Sequence, residues 1–246
     1  AFGGKLKCGA VICPFHRYKI SFGKEIKGDY TVREYETLTE SGIVFARLSD
    51  THSNGFPQFI RQLAQTNTIY PGFTMEIKCT RPELIIENGF DYTHFRPVHG
   101  VDAEPFSPEI MDSGSLQVES HFLIKTFRPF NGKPAGSIIK TPTQINAFSP
   151  YLSVAQIHGS AAMTFITSVN PIENCGTLLR FSLGLPKSVY GEAPNPKIVK
   201  QMLIGSRRGI QDDQVIWEKI SLIAPRNFTT QDKAVLAFQG FCKSFF

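Results

Sequence analysis

Between Leu116 and Leu185 the chain repeats one pattern: a β-prone segment, then a turn signal. The segments run from Leu116 to Phe127, Gly136 to Phe148, Leu152 to His158, Ala162 to Val169 and Thr177 to Leu185. Asn131-Gly132, Ser149-Pro150, His158-Gly159 and Asn174-Cys175-Gly176 punctuate them. A parallel crossover needs roughly a dozen residues or more, so strands joined by connections this short pair antiparallel, as a meander. The series ends in a helix. Asn195 is placed to cap it, Pro196 suits the first helical position, and Ile198, Val199, Met202 and Leu203 recur at helical spacing in a pattern that runs on to about Glu218. The expected fold class is α+β, a curved antiparallel sheet around a long C-terminal helix.

Upstream of the meander the pattern is less regular. Residues 1 to about 50 are glycine-rich, with short β-prone runs (Ala10 to Ile12, Tyr18 to Phe22, Gly42 to Ala46) that read as small hairpins. Turn signals at Ser53-Asn54-Gly55 and Tyr70-Pro71-Gly72 bracket an amphipathic run from Phe56 to Leu63. From Phe73 through Thr80 the pattern is β, and Leu84-Ile85-Ile86 reads as a strand leading into residues 87–100. After Glu218, Ile220 to Ile223 reads as a strand and Val235 to Phe246 as a short helix.

Composition excludes several classes. The net charge of +5 is modest for 246 residues, and the basic residues are scattered, with Arg207-Arg208 an isolated pair; no nucleic-acid footprint is present. Five cysteines (Cys8, Cys13, Cys79, Cys175, Cys242), widely spread and odd in number, are no disulfide framework and favour a reducing, cytoplasmic compartment. No apolar run reaches membrane-spanning length, and Asn227-Phe228-Thr229 is a sequon short enough to arise by chance. The first residue is Ala1, so targeting or anchoring segments upstream cannot be judged. Phenylalanine is the outlier, with 21 Phe, which suits a large apolar interior or a ligand cavity.

The chemistry concentrates in Glu87 to Gly100, where Asp91, His94 and His99 fall together. Asp91 and His94 are three apart; on one helical turn they share a face, and the carboxylate can accept from a ring nitrogen turned away from a metal. His94 and His99 are five apart with Pro97 between them, so a helix there must bend or stop, swinging His99 back towards His94. With a distant carboxylate these make a 2-His-1-carboxylate set with open positions; the competing reading is two unrelated histidines near a loop. On the long helix one stripe runs Ile198, Met202, Gly205, Gly209 and Asp213, ending in a carboxylate with open space beside it; the alternative is an exposed Asp212-Asp213 pair. Cys13-Pro14-Phe15-His16 is half of a metal site, or a buried thiol beside a surface histidine.

Glu87-Asn88-x-x-Asp91-x-x-His94-x-x-x-x-His99 resembles the mononuclear iron motif of the Rieske non-haem iron oxygenases, in their large catalytic subunits. Cys13-Pro14-Phe15-His16 resembles the second half of that family's [2Fe–2S] motif. The two occur in the family's order, and the resemblance continues through Asp213-Gln214-Val215-Ile216-Trp217-Glu218 to the aromatic C-terminus, most like the ketosteroid hydroxylase and cholesterol desaturase branch. It implies the C-terminal part of a Rieske domain at 1–50 and a helix-grip (START/Bet v 1-like) mononuclear iron domain at 51–246. It implies His94, His99 and Asp213 as Fe(II) ligands, and Asp91 as the electron bridge from His94 to His16 of the partner subunit in a ring, usually a trimer. Asn88, Phe90, Phe95, Val98, Gly205 and Gly209 are the candidate substrate-binding residues. Cys13 and His16 make only half of a [2Fe–2S] site; the upstream Cys-x-His is expected in a longer parent chain, and these 246 residues are not expected to take up electrons alone.

The reaction implied is dioxygen activation at Fe(II), with hydroxylation, dihydroxylation or desaturation of an apolar, steroid-like substrate. Electrons come from NAD(P)H through a reductase, with or without a ferredoxin. Two other classes stay open: a non-catalytic sterol- or lipid-binding domain, and a zinc-dependent hydrolase at the same His/His/Asp site.

Overall fold

A computed structural model describes residues 3–22, 28, 30–32, 34–48, 54–78, 81–126, 132, 134–159, 161–173, 176–220 and 227–246. Ser53, Cys79, Thr80, Phe127, Asn131, Asn174, Cys175 and residues 221–223, which carry turn, strand or cysteine expectations, lie outside them. The chain divides into two units, Ala1–Thr39 with Val44–Asp50, and Glu40–Ile43 with Thr51–Phe246.

Strands β1 (Lys5–Lys7), β2 (Ala10–Ile12), β3 (Lys19–Phe22) and β4 (Tyr30–Val32) form a sheet in that order, antiparallel except for the parallel β3–β4 pair. A separate hairpin joins β5 (Glu36–Glu40) to β6 (Ile43–Arg47). The β2–β3 tip is closed by two backbone hydrogen bonds, Cys13 N–H to Tyr18 O and Arg17 N–H to Cys13 O, both 2.9 Å. Cys13-Pro14-Phe15-His16 therefore sits on a hairpin tip, with Cys13 half-buried and His16 exposed.

The second unit opens with α1 (Phe56–Thr66) and β7 (Asn67–Ile77), then α2 (Glu83–Glu87), α3 (Phe95–His99), β8 (Asp102–Ala103) and β9 (Ser107–Ile110). The meander follows as β10 (Leu116–Lys125), β11 (Ile138–Ser149), β12 (Leu152–Ile157), β13 (Met163–Ile172) and β14 (Gly176–Pro186); α4 (Lys187–Tyr190), α5 (Pro196–Trp217) and α6 (Lys233–Lys243) close the chain. The antiparallel sheet runs β7-β14-β13-β12-β11-β10-β8, with β9 also on β10. Residues of β14 alternate, placing Leu179, Phe181, Leu183 and Leu185 inward with Phe165, Ile145, Ala147, Leu116 and Val118 from neighbouring strands. Phe148 points to the other face, where α1 buries Phe56, Ile60 and Leu63; the Phe56 and Phe59 rings lie 5.1 and 4.9 Å from it. Both faces being covered, the end of β11 is buried at every position from Ile145 to Phe148.

Three local expectations are corrected. Tyr70-Pro71-Gly72 is not a turn: β7 runs through it, Ser182 pairing with Pro71 and Phe181 with Phe73, so Gly72 is the extra residue of a β-bulge. A Cβ on Gly72 would lie 2.8 Å from Phe181 O and 2.9 Å from Leu203 Cδ2, so the close approach of α5 to the sheet requires glycine there. Leu84-Ile85-Ile86 is helical, in α2. All three side chains are buried, so the run has no polar face from which to read a period. On α5, Asn195 Oδ1 accepts from Lys197 N–H at 2.9 Å and Pro196 is first, as the sequence signals require. The buried residues are Val199, Asp213 and Trp217; Ile198 and Gly205 are exposed, Gly205 lying about 80° round the helix from Asp213.

Candidate metal centre

Residues 87–100 do not form one bent helix. After α2, Asn88–Phe90 make a 3-10 turn, Asp91 is extended (φ −91°, ψ 92°), Tyr92–His94 make a second 3-10 turn, and α3 begins at Phe95. Asp91 caps that second turn: its Oδ1 accepts from Thr93 N–H at 2.9 Å and from the Thr93 hydroxyl at 2.5 Å. The expected carboxylate–imidazole contact is thus replaced. Because Asp91 is extended, its backbone carbonyl, not its side chain, accepts from His94 Nδ1. That bond assigns the proton to Nδ1 and leaves the Nε2 lone pair for a ligand.

Pro97 also acts differently from expectation. It is the third residue of α3, where a backbone N–H would have no intrahelical partner, so it is accommodated in a starting helix instead of ending one. Gly100, left-handed at φ 68°, stops the helix directly after His99, its N–H reaching Arg96 O at 3.0 Å. The two histidines bracket this one short helix, their rings 5.2 Å apart and steeply inclined at 81°.

Helix α5 delivers the third group. Asp213 Oδ1 lies 3.3 Å from His99 Nε2 and 3.9 Å from His94 Nε2, and the ligand atoms of the three residues all lie within 4.8 Å of one another. Asp213 is 7 % exposed, and its Oδ1 has no hydrogen-bond donor. A buried carboxylate oxygen without a donor costs about 1–3 kcal/mol or more, a cost that a cation between the three groups removes. Two imidazoles and one carboxylate are a donor set that fits ferrous iron. Burial holds His94 below the ordinary imidazole pKa, outweighing the nearby Asp213 charge. The close Asp213 carboxylate raises that of His99, which is less buried. Asp212 is exposed, so the carboxylate within reach is Asp213.

Of the other candidates, Asn88 reaches the ligand atom itself, its Nδ2 donating to His94 Nε2 at 3.2 Å. The half-buried Phe95 ring is 4.1 Å from the His94 ring and 4.8 Å from that of Phe122; Val98 is half-buried beside His99. Phe90 is core, 1 % exposed and stacked 4.9 Å from Phe238 of α6, because α6 closes over it. Gly209 lies one turn before Asp213, and a Cβ on it or on Gly205 would meet nothing within 4 Å. Sequence reading missed Thr93 and the aromatic support of Phe106 and Phe122. Asp-x-Thr is a local capping signal that points to Thr93; no local signal marks the two phenylalanines. Among the described residues Cys13 and His16 belong to no group of three or more metal-ligating side chains. They offer two of the four ligands of a [2Fe–2S] centre of this kind, so the residues present do not complete one.

A family model described as 3-Ketosteroid 9alpha-hydroxylase C-terminal domain matches residues 52–246. The fold is shared with dicamba monooxygenase bound to dicamba (14% identity, 98% of this chain and 80% of that one, TM-score 0.65). It is shared too with the carbazole-bound oxygenase and ferredoxin complex of carbazole 1,9a-dioxygenase (15% identity, 99% and 75%, TM-score 0.62). Dicamba monooxygenase with non-heme iron and dicamba is a further likeness (12% identity, 98% and 80%, TM-score 0.58). No curated protein matches the chain by sequence. Among the described residues no helix is long and apolar enough to cross a membrane.

Proposed function

Because the chain belongs to the 3-ketosteroid 9alpha-hydroxylase C-terminal domain family, and so to the catalytic subunits of the Rieske non-haem iron oxygenases, we propose that it is a terminal oxygenase that hydroxylates, dihydroxylates or desaturates an apolar, steroid-like substrate. The observation that carries this reading is the Asp213 Oδ1 atom, buried, undonated and facing His94 and His99 from α5. His94, His99 and Asp213 would hold Fe(II), which when bound supplies the positions where dioxygen is reduced.

The remaining roles fall to side chains around that triad. The Asp91 carbonyl holds His94 in one tautomer, so its Nε2 is presented as a donor atom to metal without a proton to lose. Asn88 Nδ2, beside the same nitrogen, presents a hydrogen-bond donor at the edge of the coordination space. Phe95 and Val98 supply apolar surface next to the ligands, and the missing side chain at Gly209 leaves room on the α5 side. The Asp91 carboxylate, whose Oδ1 accepts from the Thr93 N–H and hydroxyl, would keep Oδ2 for His16 of the partner subunit in a homotrimer, completing the electron route. Reducing equivalents would come from NAD(P)H through a reductase, with or without a ferredoxin; the ferredoxin in the carbazole oxygenase complex supports such a partner.

The test is anaerobic loading with Fe(II), followed by a small-molecule reductant that reaches the iron without a [2Fe–2S] centre, air and a panel of steroids. One iron per chain and a product that has gained oxygen or lost two hydrogens are expected. An iron-loaded, reduced protein that consumes no oxygen with any of these substrates would overturn the reading, and metal-dependent hydrolysis with zinc would replace it.

A further inference from the structure

A pocket of about 370 Å³ lies between the N-terminal half of α5 and the bulge of β7. Its walls are Tyr70 and Phe73 from the strand and Val199, Leu203 and Ile204 from the helix; Lys200 and Arg207 are its charged residues, and no acidic side chain lines it. We propose that it binds a small amphipathic organic anion, with a rigid apolar body and one carboxylate or sulfonate group.

Four observations carry this. Lys200 and Arg207 are seven residues apart, two turns, so they stand on one side of α5 about 10 Å apart along its axis. Among the described residues neither has a carboxylate partner. The Arg207 guanidinium lies 5.5 Å over the Phe73 ring, which is itself stacked on Phe181 at 4.9 Å, so a cation is held above a fixed aromatic floor. The bulge makes that floor, because Gly72 leaves Leu203 free to close on the strand. An inorganic anion would engage the cations and leave the floor in water, and a neutral apolar molecule would leave two cations unused. A ring system ending in an acid satisfies both, and the volume suits a ligand of that size.

The pocket is apart from the metal centre. Arg207 precedes Asp213 by six residues, about 9 Å along the helix and about 120° around it. The proposal therefore stands whether or not iron chemistry is as described above.

The probe is 1-anilinonaphthalene-8-sulfonate, titrated into the full chain by fluorescence beside N-phenyl-1-naphthylamine, the same ring system without the sulfonate. The anion is expected to saturate at one site. Lys200→Gln and Arg207→Gln should each weaken it about tenfold and leave the neutral dye unchanged. Arg207→Lys, which keeps the charge, should retain most of the affinity, and Leu203→Trp, which fills the groove, should abolish binding of both dyes. Variants are compared at equal near-ultraviolet circular dichroism, since a loosened fold also takes up the dye. Anion binding indifferent to both Gln substitutions, or equal loss of the two dyes in them, overturns the proposal.

Discussion

Asp213→Asn keeps the shape of the side chain and removes its charge. In the parent, Asp213 Oδ1 approaches His99 Nε2 to 3.3 Å and His94 Nε2 to 3.9 Å in a buried position with no donor. Unit charges 4 Å apart interact by about 4 kcal/mol at an effective dielectric of 20, so the carboxylate is a large part of what a divalent cation gains there. Changing a residue that merely orients a metal ligand costs about 10–100-fold in affinity. Removing the charged ligand itself should cost at least about 100-fold, or about 2.7 kcal/mol. At Fe(II) about 100 times the parent Kd, binding stabilises the parent by about 2.7 kcal/mol, roughly 5–10 °C in Tm for a domain of this size. The variant at the same concentration keeps only about 0.4 kcal/mol, roughly 1 °C. Without metal, at a pH above the raised His99 value where the ring is neutral, the order reverses: the Asn amide can donate to His99 Nε2, and the undonated carboxylate is gone, so the variant should be more stable by about 1 kcal/mol. Anaerobic thermal melts with and without Fe(II), with iron measured per chain, give all four values. Equal iron-dependent shifts in the two proteins, or a metal-free variant several degrees less stable at that pH, would refute the assignment of Asp213 as a ligand.

Asp91→Ala, made in the longer parent chain with a complete [2Fe–2S] site, should leave iron bound, since the carbonyl that orients His94 belongs to the backbone, while turnover with a competent electron donor is abolished; retained turnover would remove the bridging role. The raised pKa of His99 sets the pH dependence of the metal-free site. The His99⁺–Asp213⁻ attraction is fully present below the ordinary imidazole value of about 6.5 and is lost as pH rises through the raised one. Protons compete for the same nitrogen, so Fe(II) affinity measured from about pH 5.5 to 8 should rise through that window and then flatten, and in Asp213→Asn the rise should move to lower pH. Gly72→Ala forces a Cβ to 2.8 Å from Phe181 O and should destabilise by roughly 1–3 kcal/mol, seen as a lower urea midpoint with unchanged slope. An unchanged midpoint would mean that the bulge is not held by that contact.

The meander was legible because its turns are local and its strands alternate. Leu116, Val118, Ile145, Phe165 and Leu183 could be placed in strands from neighbours within a few residues. The long helix was equally plain from Asn195, Pro196 and the apolar recurrence after them. Local signals failed where the environment was not local. Pro71-Gly72 has the chemistry of a turn, yet pairing with β14 keeps the strand extended and turns the glycine into a bulge. Leu84-Ile85-Ile86 is apolar throughout because α6 and the sheet enclose α2, and enclosure erases the pattern that separates helix from strand.

The candidate centre divides in the same way. Sequence alone determined which residue types stand ready: two histidines five apart, an aspartate before them and an Asp-Asp pair near the end of a helix. Tertiary structure decided which of them meet. The extended conformation of Asp91 turned its carboxylate to Thr93 and gave His94 a backbone carbonyl instead. Burial of one face of α5 chose Asp213 over its exposed neighbour Asp212, and the rotation of that helix left Gly205 outside. Residue identity fixes chemical capacity, but a side chain's partners depend on backbone dihedrals and helix rotation, and those are set by packing against segments more than a hundred residues away.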